Sequence, residues 1–383
     1  MSRLAVALAA VCLALGGCFG GDDSGDPGST ERTGREPVLG VTAGALLRAP
    51  LQSELRTMAA SGVTTLRAPI YWSGSQPYAT MDDVPRADRD RFRSAGGHPT
   101  DFAQTDRLVA ACSRIGIVLL PTVLDTPGWA ARNAFQAGSP PAGTAAYARF
   151  MRVLIARYGP DGSFWTEHPD VPKRPIRDWQ IWNEPSHLVY WSDQPFAPGY
   201  VRLARAARAA VKDADPGART VMAGFPDRSW ESLAAVYRAG GKGAFDIVAI
   251  HPYTYEVRNV LRIVRYARRT MRRAGDGQRP MWLTEVTWSS GRRPGRQPFP
   301  FETTPRDQAA RLAKAIPLLL RTRHELGVQR IYWENWVSTD RNHANPFNFS
   351  GLGELRPDGT VEPKPAFAAY RRVALDFQRR SGG

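Results

Sequence analysis

Short apolar runs alternate with longer amphipathic stretches from residue 38 almost to the end of the chain. The short runs are apolar on both faces, which is typical of strands that are covered on both sides. The longer stretches place apolar residues three and four positions apart, as in a helix with one buried face. The predicted strands are residues 38–42, 64–70, 117–123, 176–182, 220–224, 246–250, 281–285 and 328–333, and the predicted helices are residues 51–60, 101–115, 145–157, 201–214, 230–238, 260–273, 307–326 and 366–377.

Eight successive strand–helix units predict an α/β protein with a parallel (β/α)8 barrel. A doubly wound open sheet is the competing architecture, but it usually carries a glycine-rich phosphate loop after its first strand. The stretch Gly40-Val41-Thr42-Ala43-Gly44 is not such a loop. No composition shift divides residues 37–380, so we expect a single domain there.

Residues 1–17 have the pattern of an export signal, because Arg3 precedes an apolar run that is too short to span a bilayer. The sequence Leu15-Gly16-Gly17-Cys18 resembles a bacterial lipobox, which implies cleavage before Cys18 and lipidation of its thiol. An ordinary cleaved signal is the alternative. The polar, glycine-rich residues 18–36 are then a flexible tether. We expect an extracytoplasmic protein that is either membrane-anchored through its lipid or secreted.

The formal net charge of +15 allows partners with negative charge. The arginines, however, are spread over most predicted helices, which favours solvated faces over a nucleic-acid-binding stripe. An acidic glycan stays open as a substrate. Only Cys112 remains after the signal and lipidated cysteines, and its apolar surroundings predict a buried thiol rather than a nucleophile. The histidines outside residue 251 show no ligand spacing, so neither a metal nor a cofactor is expected.

Two glutamates stand at the ends of predicted strands four and seven. Glu184 lies in Asn183-Glu184-Pro185, and Glu285 follows Met281-Trp282-Leu283-Thr284. A barrel gathers the carboxyl ends of its strands at one face, so the two carboxylates can flank one glycosidic bond. Cleavage of an acetal needs a proton on the leaving oxygen and a negative group near the developing oxocarbenium carbon.

Other strand ends supply candidate partners for these two carboxylates. Arg67 and Tyr253 are expected to hold Glu285 ionised as a nucleophile, which leaves Glu184 as the acid and then the base. Asn183 is placed to hydrogen-bond the 2-hydroxyl group of the sugar. His251 either lines the site or forms hydrogen bonds only within the barrel rim.

Several tryptophans at or just past the strand ends are candidate sugar platforms, because the apolar faces of pyranose rings stack on aromatic side chains. Trp333 is the first candidate for the position beneath the reacting sugar. The alternative for each is a place in the core. The candidates are Trp72, Trp129, Trp191, Trp288 and Trp333.

The motifs at the strand ends form a set: Arg67, Asn183-Glu184-Pro185, His251-Pro252-Tyr253 and Glu285 on strands two, four, six and seven. This set resembles that of the clan A glycoside hydrolases, nearest to the family 39 and family 5 types. The resemblance implies a (β/α)8 barrel that cleaves a β-glycosidic bond with retention, with Glu184 as acid/base and Glu285 as nucleophile.

Three functions therefore compete. The first is a monomeric retaining glycoside hydrolase that acts on an oligosaccharide or polysaccharide. The second is a carbohydrate-binding barrel without turnover. The third, a metal-dependent barrel hydrolase, would need a His-x-His motif at the end of strand one, where the chain has Val41-Thr42-Ala43.

Overall fold

The computed structural model of the chain describes residues 38–295 and 297–382. The predicted signal, lipidation site and tether lie outside the described residues. Within them, no helix is long and apolar enough to cross a membrane.

Eight parallel strands form the central sheet and confirm the predicted fold class. Their order is β5-β4-β3-β2-β1-β8-β7-β6, and a parallel bridge between Val221 and Ile247 joins the two ends. The sheet therefore closes into a barrel. The strands are β1 (Leu39–Thr42), β2 (Thr65–Tyr71), β3 (Val118–Leu124), β4 (Asp178–Ile181), β5 (Arg219–Val221), β6 (Val248–Ile250), β7 (Met281–Val286) and β8 (Val328–Trp333).

One long helix follows each strand and packs outside the barrel. Gly116 ends the second helix in the left-handed conformation, which glycine adopts without steric cost. The seventh helix ends at Thr322 instead of residue 326, and turns complete the connection to β8. The helices are α1 (Leu51–Ala60), α2 (Ala103–Ile115), α3 (Thr144–Tyr158), α4 (Phe196–Ala214), α5 (Ser229–Arg238), α6 (Val257–Arg273), α7 (Pro305–Thr322) and α8 (Pro365–Gly382).

The loops at the carboxyl ends of the strands carry the smaller elements. A hairpin of Arg93–Ala95 and His98–Thr100 lies between β2 and α2. Three short strands, Val337–Ser338, Gly353–Leu355 and Val361–Pro363, form a second sheet after β8. These additions leave the carboxyl face of the barrel as the place where several chain segments meet.

The barrel interior has an apolar layer and a polar layer. Leu120, Val221, Ile247, Ala249, Trp282 and Tyr332 form a buried cluster of their own, apart from the larger core that includes the helices. Nearby, the Arg330 guanidinium lies 4.0 Å from the Trp282 ring centroid and 2.8 Å from Asp178. Because a buried charge needs a partner, this ion pair fits a place inside the barrel.

Candidate active site

Glu184 stands just beyond β4 on a backbone that departs from ordinary strand geometry. Trp182 has φ 71° and Glu184 has φ 39°, values in the left-handed region. For residues other than glycine such conformations cost of order 1–3 kcal/mol each and concentrate at functional sites. The Glu184 amide donates to Gly224 O at 3.2 Å, which holds the turn against the next strand. This strained turn therefore sets the direction of the Glu184 side chain.

Glu184 and Glu285 meet around His251. Nδ1 of His251 lies 2.6 Å from Glu184 Oε1 and 3.6 Å from Glu285 Oε2. One carboxylate oxygen of each glutamate lies within 4.8 Å of the other. A Cβ at Gly224 would collide with the His251 ring, so only glycine allows the ring this position. The structure thus brings together the two carboxylates that the strand-end argument paired.

Glu285 receives hydrogen bonds on both carboxylate oxygens. Arg67 Nη1 donates to Oε1 at 2.7 Å, and the Tyr253 hydroxyl donates to Oε2. Burial alone would raise the pKa of Glu285, but the charges of His251 and Arg67 and these two hydrogen bonds outweigh burial and lower it. Burial and the neighbouring carboxylates raise the pKa of Tyr253, so its hydroxyl stays a donor. Glu285 is therefore held in its ionised form.

Arg67 also fixes two amide side chains. Its Nε donates to Gln180 Oε1 at 2.6 Å, and its Nη2 donates to Asn183 Oδ1 at 2.7 Å. Gln180 in turn accepts from Thr122 and donates to Met222 O. Gln180 was not among the predicted site residues, although it lies on the predicted strand three residues before Asn183. The network makes the orientation of Arg67 independent of any bound molecule.

Glu334 supplies a third carboxyl group to the site and was not among the predicted site residues. It follows directly after β8, and its peptide bond to Asn335 is cis. The Thr42 hydroxyl lies within hydrogen-bonding distance of Glu334 Oε2 and, at 2.6 Å, of Asn335 Oδ1. Burial and the negative charge of Glu285 raise the pKa of Glu334 well above its usual value. The site therefore holds one carboxyl group that favours its ionised form and one that favours its protonated form.

A cavity of about 170 Å³ lies against these residues. It is similar in size to cavities of about 150 Å³ that accommodate a six-membered ring. Its polar and aromatic lining includes Arg67, Asn183, Glu285, Glu334, Tyr71 and Tyr190. The cavity can therefore hold one sugar ring beside Glu285.

A larger depression of about 680 Å³ lies on the outer face of α6 and is lined by arginines from Arg258 to Arg269. It contains no carboxylate among its lining residues and lies on a helix outside the barrel. Size alone therefore does not make it the candidate site.

Most of the predicted tryptophan platforms are buried in the core, which is the alternative that the sequence left open for them. Trp333 has no exposed surface and donates to Ser350 O, whereas Glu334 and Asn335, the two residues directly after β8, line the cavity. Trp72 is also fully buried among aromatic rings. Trp191 and Trp288 are almost fully buried. In each case the ring packs between elements because apolar area is removed from water there.

Trp129 is partly exposed, but it stacks on His98 with ring centroids 4.0 Å apart and does not line the cavity. Tyr71 and Tyr190 are the aromatic residues that do line it. Tyr71 is the last residue of β2 and is 49 % exposed, and Tyr190 lies in the loop that follows β4. These two tyrosines can therefore supply the aromatic contacts of a sugar in the cavity.

The donor atoms of Glu184, His251 and Glu285 lie close enough together to be compared with a metal site. Arg67 and Tyr253 already occupy both oxygens of Glu285, and the His251 Nε2 lies 2.9 Å from Thr284 Oγ1. A cation between these groups would face the Arg67 guanidinium. The hydrogen-bonded arrangement fits proton transfer better than metal ligation.

The pKa values of Glu334 and Glu285 are shifted in opposite directions, so removal of each charge should change stability with pH in a different way. For Glu334 the folded-state pKa is raised, so its cost to stability begins above the unfolded pKa of about 4.3 and grows until the folded pKa is passed. Glu334→Gln is therefore expected to gain stability over the wild type as pH rises from 5 to 8, by up to about 1.4 kcal/mol for each pH unit. Chemical denaturation at several pH values measures this.

Glu285→Gln is the matched comparison for that experiment. In the folded wild type the pKa of Glu285 is lowered, so the ionised Glu285 stabilises the fold above pH about 4.3 and this contribution is lost only at lower pH. The Glu285→Gln deficit should therefore stay constant between pH 5 and 8. A Glu334→Gln difference that is equally flat would contradict the raised pKa.

Comparisons with known proteins bear on the fold. No protein-family model matches the sequence, and no curated protein matches it. Among solved structures, a family 39 glycoside hydrolase from Bacteroides cellulosilyticus WH2 matches 88% of this chain with TM-score 0.61 and 18% identity. This chain spans 64% of the length of that protein.

Two further solved structures match similarly. A monomeric β-xylosidase from Caulobacter crescentus CB15 matches 88% of this chain and 69% of its own, with TM-score 0.60 and 19% identity. An α-L-arabinofuranosidase from Thermotoga maritima matches 88% and 70%, with TM-score 0.59 and 15% identity. The chain therefore has the (β/α)8-barrel fold that clan A glycoside hydrolases such as those of families 39, 51 and 53 share.

Proposed function

We propose that the protein is a retaining glycosidase that cleaves a β-glycosidic bond by double displacement, with Glu285 as nucleophile and Glu184 as acid and base. The observation that carries this proposal is the approach of the two carboxylates to within 4.8 Å. A retaining enzyme needs a separation of about 5–5.5 Å, whereas an inverting enzyme leaves about 6.5–9.5 Å for a water molecule. The observed pair is too close for the inverting arrangement.

In the first step Glu285 attacks the anomeric carbon while the bond to the leaving oxygen breaks. Glu184 gives its proton to that oxygen, so the leaving group departs as an alcohol. Arg67 and Tyr253 keep Glu285 ionised and aimed, as their hydrogen bonds to its two oxygens indicate. The product of this step is a glycosyl ester on Glu285.

In the second step a water molecule attacks the same carbon and Glu285 departs as a carboxylate. Glu184 now takes the proton from the water, which restores both groups to their starting forms. His251, at 2.6 Å from Glu184, stays in contact with the carboxyl group that changes charge in each step. Asn183, fixed by Arg67, can hydrogen-bond the 2-hydroxyl group beside the reacting carbon.

The substrate in this proposal is a β-linked oligosaccharide or polysaccharide, and no cofactor or metal takes part. Solved structures of similar fold include a monomeric β-xylosidase and a family 39 enzyme, which supports a carbohydrate substrate and a monomer. We place the enzyme outside the cytoplasm on a lipid anchor at Cys18, on the strength of the lipobox-like sequence.

The test is a panel of nitrophenyl β-glycosides, with the anomeric proton of the first product followed by NMR. The expected result is hydrolysis of at least one β-glycoside with the β-anomer appearing first and then equilibrating. A first product with the α-configuration would show inversion and refute the proposed mechanism. Absence of hydrolysis across the panel and across polysaccharides would favour a carbohydrate-binding barrel without turnover.

A further inference from the structure

The cavity beside Glu285 has an uneven supply of charged groups. Among the described residues that line it, Glu285 and Glu334 carry carboxyl groups, and Arg67 is the sole positively charged residue. A third carboxyl group, that of Glu184, lies within 4.8 Å of Glu285. A sugar in this cavity therefore meets more carboxyl groups than cations.

Arg67 is already committed to protein partners. Each of its three nitrogens donates to a side chain, Nε to Gln180, Nη1 to Glu285 and Nη2 to Asn183. The residue is 7 % exposed, so it cannot turn towards a ligand without breaking this network. A negatively charged group on the sugar would find no uncommitted cation in the described lining.

The hydrogen bonds around Thr42 fix the place of the proton on Glu334. Asn335 donates its Nδ2 to Ser350 Oγ at 2.9 Å, so its Oδ1 is the acceptor that faces Thr42 at 2.6 Å. A hydroxyl has one hydrogen, and Thr42 gives it to Asn335. The contact between Thr42 Oγ1 and Glu334 Oε2 then needs a hydrogen from Glu334.

The other oxygen of Glu334 has no such contact. Oε1 makes no hydrogen bond with any described residue, while the side chain lines the cavity. A bound ring would remove this oxygen from water, so a ligand that supplies a donor there binds more tightly than one that leaves the acceptor unpaired. With its proton held on Oε2, Glu334 offers only an acceptor to the cavity.

We propose that Glu334 is a specificity-determining residue whose Oε1 accepts a hydrogen bond from a hydroxyl group of the bound ring, and that the cavity takes a neutral sugar and rejects a uronic acid because Arg67, the sole cation of its described lining, is already paired. The inference rests on the proposed glycosidase activity and adds the class of sugar to it. A carboxylate on the ring brings only acceptors and negative charge to a place that already holds both. A preference for a neutral sugar would exclude the acidic glycan substrate that the net charge allows.

The first test needs no variant. The neutral nitrophenyl β-glycoside that is cleaved fastest is compared with the uronide of the same ring configuration, either β-glucoside with β-glucuronide or β-galactoside with β-galacturonide. The neutral substrate is expected to have a kcat/KM at least about a hundredfold higher, because the uronide would bury a carboxylate that no uncommitted cation of the described lining pairs with. Equal cleavage of the two substrates would overturn the inference and leave the proposed function intact. Cleavage of neither the neutral panel nor the uronides would overturn both.

The second test isolates Glu334. Glu334→Gln keeps an oxygen for the sugar and an N–H for Thr42, so its KM for the neutral substrate should stay within about tenfold of the wild-type value. Glu334→Met fills a similar volume without an acceptor and should raise KM by at least about tenfold. Asp125→Asn is the control, since it removes a charge from an exposed residue just after β3 that does not line the cavity.

Deoxy substrates separate a contact from a structural effect. The wild type should lose kcat/KM on each deoxy analogue of the preferred glycoside whose missing hydroxyl group makes a contact. In Glu334→Met, removal of the hydroxyl group that faces residue 334 should cost nothing further, because the partner is already gone. Equal losses in the wild type and in Glu334→Met at every position would show that Glu334 does not contact the sugar.

Discussion

Replacement of Glu285 by glutamine is expected to lower kcat by about 10⁴–10⁶-fold, the range seen when a catalytic nucleophile is removed. Glutamine has nearly the same shape, but an amide does not attack the anomeric carbon. The cavity keeps Arg67, Asn183 and Glu334, so sugar binding should survive. Turnover of the preferred nitrophenyl glycoside and calorimetric titration with its free sugar measure the two quantities separately.

The control for that variant is Glu231→Gln, which removes an exposed carboxylate on α5 that pairs with Arg228. It should leave both turnover and binding unchanged. Full turnover in Glu285→Gln would exclude Glu285 as the nucleophile and direct attention to Glu334, which lines the same cavity.

A 2-fluoro glycoside with a good leaving group resolves the same question chemically, because it slows the second step and leaves the sugar on the nucleophile. Mass spectrometry of the digested protein should find the added mass on the peptide that contains Glu285. Label on the peptide that contains Glu334 would contradict the assignment.

The fold and the two principal carboxylates could be predicted because both depend on local patterns. A buried parallel strand leaves a run of apolar residues, and the residue that ends the run lies at the carboxyl face of the barrel. Glu184 lies just beyond the end of one such run, and Glu285 lies near the end of another. The order of the strands along the chain was therefore enough to predict that these two side chains lie at the same face of the barrel.

Glu334 escaped prediction for an equally physical reason. It stands between Trp333 and Trp336 after an apolar strand, where an aromatic residue offers the stronger signal for sugar contact. Which of these side chains faces the cavity depends on the turn of the chain after β8. No periodicity in the sequence specifies that turn.

The tryptophans show that residue type alone does not predict which aromatic side chain reaches the cavity. Trp72 and Trp333 lie near strand ends, as the sequence predicted, but each donates its indole N–H to another residue of the protein and has no exposed surface. A large aromatic ring gains free energy wherever it is buried, so its presence near a site does not show its direction. Tyr71 and Tyr190 reach the cavity instead.

Replacement of Glu184 by alanine is expected to lower kcat/KM by about 10²–10⁴-fold for substrates with poor leaving groups, which is the usual contribution of a general acid. A dinitrophenyl glycoside needs little protonation to depart, so its first step should be nearly normal in the variant. Its second step should be slow, because no base takes the proton from water. The loss in kcat/KM should therefore grow with the pKa of the leaving alcohol across a series of aryl glycosides.

Azide adds the decisive observation on Glu184. The anion needs no base, and the space left by the removed carboxyl group lies near His251, which gives the anion a partner. Azide should accelerate turnover of the dinitrophenyl glycoside by Glu184→Ala and yield a β-glycosyl azide, whereas it should leave the wild type unchanged. An α-glycosyl azide would place the attacking anion on the face that Glu285 occupies in the proposed intermediate. The configuration of this one product therefore tests the roles of both carboxylates together.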